Sequence, residues 1–439
     1  MFGPKSIYRL AAIILSMSGA DEKFLVGAQA AEFLGVKPAT LYAYASRGQI
    51  ESIPGASGRE RCYRLSDLIR LRQSARGVKT QKDSEPVWTG PAIKSAITEL
   101  REDGHRYRGQ NALELAQTGV SFEAAVELLW ETGADEQVWQ ELEPLRMPEL
   151  SSLVTPDTDC LELLKLLVVS LEMTDPVSRK LNREDIYDTA RRLILTMCVS
   201  LSLRSGGIEA LALSRGGNSN GSGSHRLLAN ILLKALGGAS SNGSELEAHV
   251  NAVNFLLVLC ADHDLNAAAL ASRIAASCDA SIYSCLLSAL GSFSGSLSTS
   301  ASRRTEDIVS ASLGFRSARA WLKEYLRQND TIPGFGSELY SEGDPRARAM
   351  LEHALKLKPG NEKLGRLVEI VDCAKEELSL LPNLDVGLAA LNYALELPPG
   401  SGSTLFAVSR AAGWIAHAIE QKLYGGVIRP RARYIGKGG

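Results

Sequence analysis

Apolar residues return at three- and four-residue steps through most of the chain. Residues 93–100, 122–130, 161–171, 186–203, 246–260, 267–278, 282–293, 318–326, 346–357, 364–380 and 405–423 all carry this period. It predicts amphipathic helices, and because alternating apolar and polar runs are scarce, the body of the chain is expected to be mostly α. Ser121, with Glu123 and an apolar run behind it, and Asp185, at the head of another run, read as helix starts. A free backbone N–H there finds an oxygen, and a carboxylate meets the positive end of the helix.

A separate unit precedes this body. Residues 26–34 are Ala-rich and amphipathic, Gly35-Val36-Lys37 is a turn, and Pro38 opens a second helix that Gly48 closes. A Gly- and Arg-bearing hairpin over 55–63 follows, and Ser66 is placed to cap a third helix reaching Arg72. The spacing of the first two helices is that of a helix-turn-helix. The full order, with the run 31–47 and its Ala39-Thr40-Leu41-Tyr42, resembles the MerR-type winged DNA-binding domain. On this reading 24–78 is the module and the polar stretch 79–87 a linker. Arg47, Arg59, Arg61 and Arg64 are the candidate phosphate contacts, and Thr40 and Tyr44 the candidate base contacts of the second helix on double-stranded DNA.

Composition narrows the rest. The chain of 439 residues is 45% apolar and 22% charged with a formal charge of −2. That is an ordinary balance for a folded protein, with no global pull toward nucleic acid or acidic lipid. The seven cysteines are scattered without a CxxC pair, so a reduced, cytoplasmic protein without a disulfide framework is expected. The apolar stretch 7–15 is short and a DNA-binding pattern follows it, so it is not read as a secretion signal, and Met17 is an alternative start. No stretch is apolar over a membrane's width, and no membrane partner is expected. The Gly-rich islands 216–224 and 237–244 lack a Gly-Lys-Ser/Thr ending and read as loops. The six histidines show no metal-ligand spacing, and no metal is expected; His105, His249, His353 and His417 are read as surface or helix-packing residues.

Four segments in a fixed order carry the more specific signal. They are Arg106-Tyr107-Arg108-Gly109, then Ala261-Asp262-His263-Asp264-Leu265-Asn266, then Pro333-Gly334-Phe335-Gly336 with Asp344-Pro345-Arg346, and last Asn383-Leu384-Asp385-Val386 with Arg429-Pro430-Arg431. Together they resemble the citrate synthase family. The resemblance implies a large helical domain over 88–298 and 391–439, a small one over 299–390, and a homodimer.

The family's reaction condenses an acyl-CoA with a 2-oxo acid. That chemistry needs a carboxylate to take a carbon-bound proton and donors for the developing enolate and the keto oxygen. By resemblance Asp385 is the base, His263 the keto-acid contact, and Arg346, Arg410 and Arg429 the carboxylate-binding arginines, Arg429 reaching into the partner subunit. Arginine suits that role because its planar fork matches a carboxylate. Pro333, Gly334, Phe335 and Gly336 form the coenzyme loop, with acetyl-CoA or another acyl-CoA as the ligand rather than a bound cofactor.

Two positions depart from the pattern. Ser298 and Ser337 stand where the family carries its catalytic histidines. Serine is shorter than histidine and has no cationic form near neutral pH. Glu338 and Ser341 stand where basic residues commonly meet coenzyme phosphates. The expectation is a DNA-binding regulator that senses oxaloacetate- or citrate-type carboxylates. The alternative is a divergent citrate or 2-methylcitrate synthase.

Overall fold

The computed structural model describes residues 24–34, 36–54, 61–64, 67–68, 92–150, 152–175, 183–205, 226–238, 243–295, 300–329, 331–337 and 339–430. The expected linker, Ser66 and the third helix beyond residue 68, the tip of the hairpin, the Gly-rich island 216–224 and residues 239–242 of the second island lie outside them. By contacts, Met1–Pro91, Ser312–Ile332 and Val368–Leu380 form one unit, and Ala92–Ala311, Pro333–Leu367 and Leu381–Gly439 another.

In the first unit the chain enters as strand β1 (Phe24–Val26), followed by helices α1 (Gly27–Leu34) and α2 (Pro38–Ser46) and strands β2 (Ser52–Pro54) and β3 (Arg61–Arg64). Strand β3 is central and antiparallel to both others, with Leu25 opposite Tyr63 and Ile53 opposite Cys62. Pro38 sits in the first turn of α2, where its missing N–H costs nothing, and Gly48 takes φ +72° just beyond the C-cap Arg47. Leu25, Ala30, Ala31, Leu41, Ile50, Tyr63 and Leu68 make a small core. The short strand before α1 was not expected, and it takes Val26 out of the helix read there.

In the second unit a hairpin-based sheet of β4 (Thr98–Arg101), β5 (Gly104–Tyr107) and β6 (Gln110–Asn111) precedes the helices. The helix expected over 93–100 is therefore wrong. Its Ile93, Ile97 and Leu100 fit helical steps, but Thr98–Arg101 finds its hydrogen bonds on β5 instead. From there the chain is helical: α3 (Ala112–Gln117), α4 (Phe122–Trp130), α5 (Cys160–Thr174), α6 (Arg183–Ser200), α7 (Leu227–Ala235), α8 (Ser244–Cys260), α9 (Ala267–Ser277), α10 (Ile282–Phe293) and α11 (Ser300–Ser312). Then come α12 (Ala318–Gln328), which belongs to the first unit, α13 (Pro345–Leu357), α14 (Glu362–Leu378), whose last eleven residues also belong there, α15 (Leu384–Ala394) and α16 (Ser401–Tyr424).

Ser121 caps α4 as expected, accepting from Ala124 N–H at 3.0 Å. Helix α16 is buried from Ser401 to Gln421 and packs against α4, α6, α8, α9, α10 and α15. A helix enclosed on all sides carries small and apolar residues all round, so the ionisable groups it buries, Arg410, His417 and Glu420, need partners. Among the described residues no helix is long and apolar enough to cross a membrane.

Candidate ligand site

Helix α8 ends at Cys260, and the chain turns through Asp262 and His263, with Asp264 at φ +57°, before Asn266 caps α9 by accepting from Ala269 N–H at 2.9 Å. Gly413 lets this turn lie on the backbone of α16. Its N–H donates to Ala261 O at 3.0 Å, and a Cβ there would stand 2.3 Å from Asp262 Oδ1 and 2.5 Å from Ala261 O. The seating delivers Arg410 and His417 to one carboxylate, with Arg410 Nη1 at 3.4 Å from Asp262 Oδ1 and His417 Nε2 at 3.5 Å from Oδ2.

Thr98 donates to the same Oδ2 at 2.6 Å. Arg273 Nε donates to His417 Nδ1 at 2.9 Å, which places the imidazole proton on Nε2, facing Asp262. Burial opposes ionisation of Asp262, but His417, Arg410 and Thr98 outweigh it and hold the carboxyl well below the usual range.

Next to this network stands His263, whose Nε2 meets Tyr340 Oη at 2.7 Å. His105 from β5 packs edge-on against it, ring centroids 5.2 Å apart. Burial, Arg346 and His105 keep His263 well below the ordinary imidazole range, so it is neutral. Arg346 comes from the first turn of α13. Asp344 caps that helix through Arg346 N–H at 2.9 Å and also takes the guanidinium, Nε at 3.1 Å and Nη2 at 2.7 Å. Burial disfavours the charge on Arg346, and Asp344 more than offsets it. Arg410 is held below its ordinary value by burial, with Asp262 opposing and Arg346 adding to the effect. Two arginine donors are left over: Arg346 Nη1 and Arg410 Nε are buried with no hydrogen-bond partner.

The loop 333–336 is stitched to the segment that delivers Asp385. Gly336 N–H donates to Leu381 O at 2.8 Å, Asn383 N–H to Gly334 O at 2.9 Å, and Phe335 bridges Pro382. Asn383 then caps α15 through Asp385 N–H at 3.0 Å. Gly334 takes φ +87°, and a Cβ there would stand 2.8 Å from Thr305 Oγ1, so only glycine fits. Burial pushes the Asp385 carboxyl up to about 6, with Arg304 and Arg346 pulling the other way. A carboxylate in that range is suited to taking and returning a proton near neutrality.

The structure thus brings His263, Arg346, Arg410 and Asp385 into one electrostatic neighbourhood. Ser337 serves the local turn instead. That side chain is exposed, and its Oγ accepts from Leu339 N–H at 3.2 Å and Tyr340 N–H at 3.1 Å, fixing the turn that ends at Tyr340. Arg429 is exposed beyond α16, and Ser298 lies outside the described residues.

In the N-terminal module Thr40, Arg47 and Arg61 are exposed, whereas Arg64 is paired with Glu51 at 2.7 Å and Arg59 lies outside the described residues. Tyr44, expected among the exposed positions, packs against the small core instead, because the α2 face carrying Leu41 and Tyr44 turns inward. The outward aromatic is Tyr42, 56% exposed.

Sequence reasoning read His105 and His417 as surface or helix-packing residues; both are buried, His417 within α16, and their place in the site was missed, as were Tyr340, Asp262 and Gly413 as its supports. The available signals were the Asp262-His263 pair and a glycine inside a strong helical pattern.

A helical body that buries a cluster of arginines, histidines and carboxylates, with a helix-turn-helix ahead of it, is the class these features define. The family description "Citrate synthase, C-terminal domain" matches residues 87–431 and "Helix-turn-helix domain" matches 27–76. The chain belongs to the citrate synthase family. It is 36% identical over 204 residues to the citrate synthase of Haloferax volcanii, covering 45% of this chain and 53% of that protein. To citrate synthase 2 of Bacillus subtilis it is 27% identical over 364 residues, 79% of this chain and 94% of that protein. Among solved structures it is similar to the Thermoplasma acidophilum citrate synthase in its ternary complex with carboxymethyl coenzyme A and oxaloacetate. That TM-score is 0.66 at 20% identity, covering 82% of this chain and 97% of that one. Thermotoga maritima citrate synthase gives 0.62 at 21%, covering 82% and 96%.

Proposed function

We propose that this chain is a DNA-binding regulator whose citrate synthase body binds an oxaloacetate- or citrate-type carboxylate and has lost most of its condensing power. The observation that carries the carboxylate reading is the pair of buried, unpartnered donors, Arg346 Nη1 and Arg410 Nε. Leaving such groups bare is costly, and a carboxylate satisfies both charge and hydrogen bonds at once.

Serine at 298 and 337 supports weak condensation, because a neutral hydroxyl, unlike an imidazolium, does not give up its proton near neutral pH. In this reading the large part, 88–298 and 391–439, and the small part, 299–390, close on the ligand. Acyl-CoA meets the 333–336 loop only weakly, since Glu338 repels a pyrophosphate. Homodimerisation is supported by Ile274, Leu423, Tyr424 and Val427, exposed apolar residues of α9 and of the end of α16 and beyond. A dimer presents two winged modules to a palindromic site.

The test couples two measurements. Millimolar citrate or oxaloacetate should raise the thermal midpoint, and Arg346→Ala or Arg410→Ala should abolish the rise. The same ligands should change the affinity of the full chain for promoter DNA at fixed salt. Ligand binding with no effect on DNA, or no DNA binding at low salt, rules out the regulator. A second reading, a divergent synthase, draws on the Asp385 carboxyl near 6. It predicts robust thiol release from acetyl-CoA and oxaloacetate.

A further inference from the structure

His105 stands outside every motif that points to the family, yet it is 1% exposed and packs on His263. Its hydrogen bond fixes its tautomer. Tyr107 donates its only hydroxyl proton to Val258 O at 2.8 Å, so toward His105 Nε2, 3.0 Å away, the phenol oxygen can only accept. The neutral ring therefore carries its proton on Nε2, and Nδ1 keeps a lone pair.

The charged groups facing the ring are Arg346 and Asp344 from α13, Arg410 from α16, and Asp262 from the turn after α8. The neutral titratable groups around it are His263, Tyr107 and, behind His263, Tyr340. Both carboxylates are already committed, Asp344 to Arg346 and Asp262 to Thr98, Arg410 and His417. Burial and the two arginines push His105 down to about 3.

A bound carboxylate reverses that field. One negative charge about 5 Å away, at an effective dielectric near 20, favours the imidazolium by roughly a few hundredfold, and a di- or tricarboxylate brings two or three.

We propose that His105 is a proton acceptor of this site besides Asp385, taking a proton from solvent onto Nδ1 when a di- or tricarboxylate binds, so that ligand affinity is tied to pH. The proposal rests on carboxylate binding at Arg346 and Arg410. It adds a residue and a linkage that neither the motifs nor the fold imply.

Calorimetry of the full chain with oxaloacetate, run at pH 7 in phosphate and in Tris, reads proton uptake from the difference in apparent heat. The expected result is an uptake approaching one proton per site, with affinity rising up to about tenfold for each unit that pH falls. His105→Gln keeps an N–H for Tyr107 but cannot be protonated, and its uptake should fall by up to one proton per site. Nitrogen shifts of labelled histidine in the unaltered protein give an independent reading, with Nδ1 of His105 moving to its imidazolium value on ligand addition. Uptake unchanged in His105→Gln, binding without uptake, or a shift confined to other histidines overturns the proposal and leaves carboxylate binding standing. No heat with oxaloacetate or citrate overturns both.

Discussion

The N-terminal module and the helical body both rely on arginine, and the two sets behave oppositely. Arg47 and Arg61 are exposed on a unit with a small core, while Arg346 and Arg410 are among the most enclosed side chains of the body. Exposed arginines keep their hydration, and removing one costs the fold little. A buried arginine has given up its water, so the surrounding structure must supply carboxylates, as Asp344 and Asp262 do. The same residue type is interchangeable at one site and built into the architecture at the other. Charge counting along a sequence cannot separate the two.

The sharpest way to break this contrast is Asp262→Asn. It leaves Arg410 buried without its counter-charge and should cost about 3–5 kcal/mol, read by denaturant unfolding. A loss no greater than that of a surface substitution would mean that the network is solvated. Gly413→Ala comes next. A methyl there collides with Asp262 and Ala261 O, and about 1–3 kcal/mol should be lost, with weakened carboxylate binding because the turn bearing His263 is displaced.

Asp385→Asn should have an effect of the opposite sign. The folded-state carboxyl is pushed to about 6, above its unfolded value. Its contribution to stability is therefore complete below about pH 4 and is lost as pH rises through about 6. The variant should be more stable than the parent by up to about 3 kcal/mol at pH 8, the gap closing toward pH 4. A gap that persists at low pH would point to packing rather than charge. Smallest for the fold is Arg61→Ala, expected within about 0.5 kcal/mol of the parent. Its effect should appear instead as a decrease of about one in the salt dependence of DNA binding. A stability loss comparable to that of Asp262→Asn would erase the distinction between the two arginine sets.

Much of this protein was legible without coordinates. Helical periodicity located most of the body because each amphipathic helix repeats its own period whatever it packs against. The Pro38 and Gly48 signals bounded α2 because they act within a single turn. The ordered motifs singled out His263, Arg346 and Asp385, and the family resemblance they carry added Arg410.

Other features depend on chains that meet only after folding. Strand β4 was misread as helix because its hydrogen bonds are completed by β5. Tyr44 and Tyr42 differ only in which face of α2 turns inward. Ser337 reads in the sequence as a substituted catalytic position, and only the folded turn makes it the acceptor for Leu339 and Tyr340. His105, 158 positions before His263 in the sequence, becomes its neighbour only when β5 lies beside the turn that Gly413 seats on α16. Local propensity and the chemistry of single residues were set by the sequence itself. Which buried groups face one another, and so which of them can hold or exchange a proton, was decided by tertiary packing, because burial and field depend on distance in space.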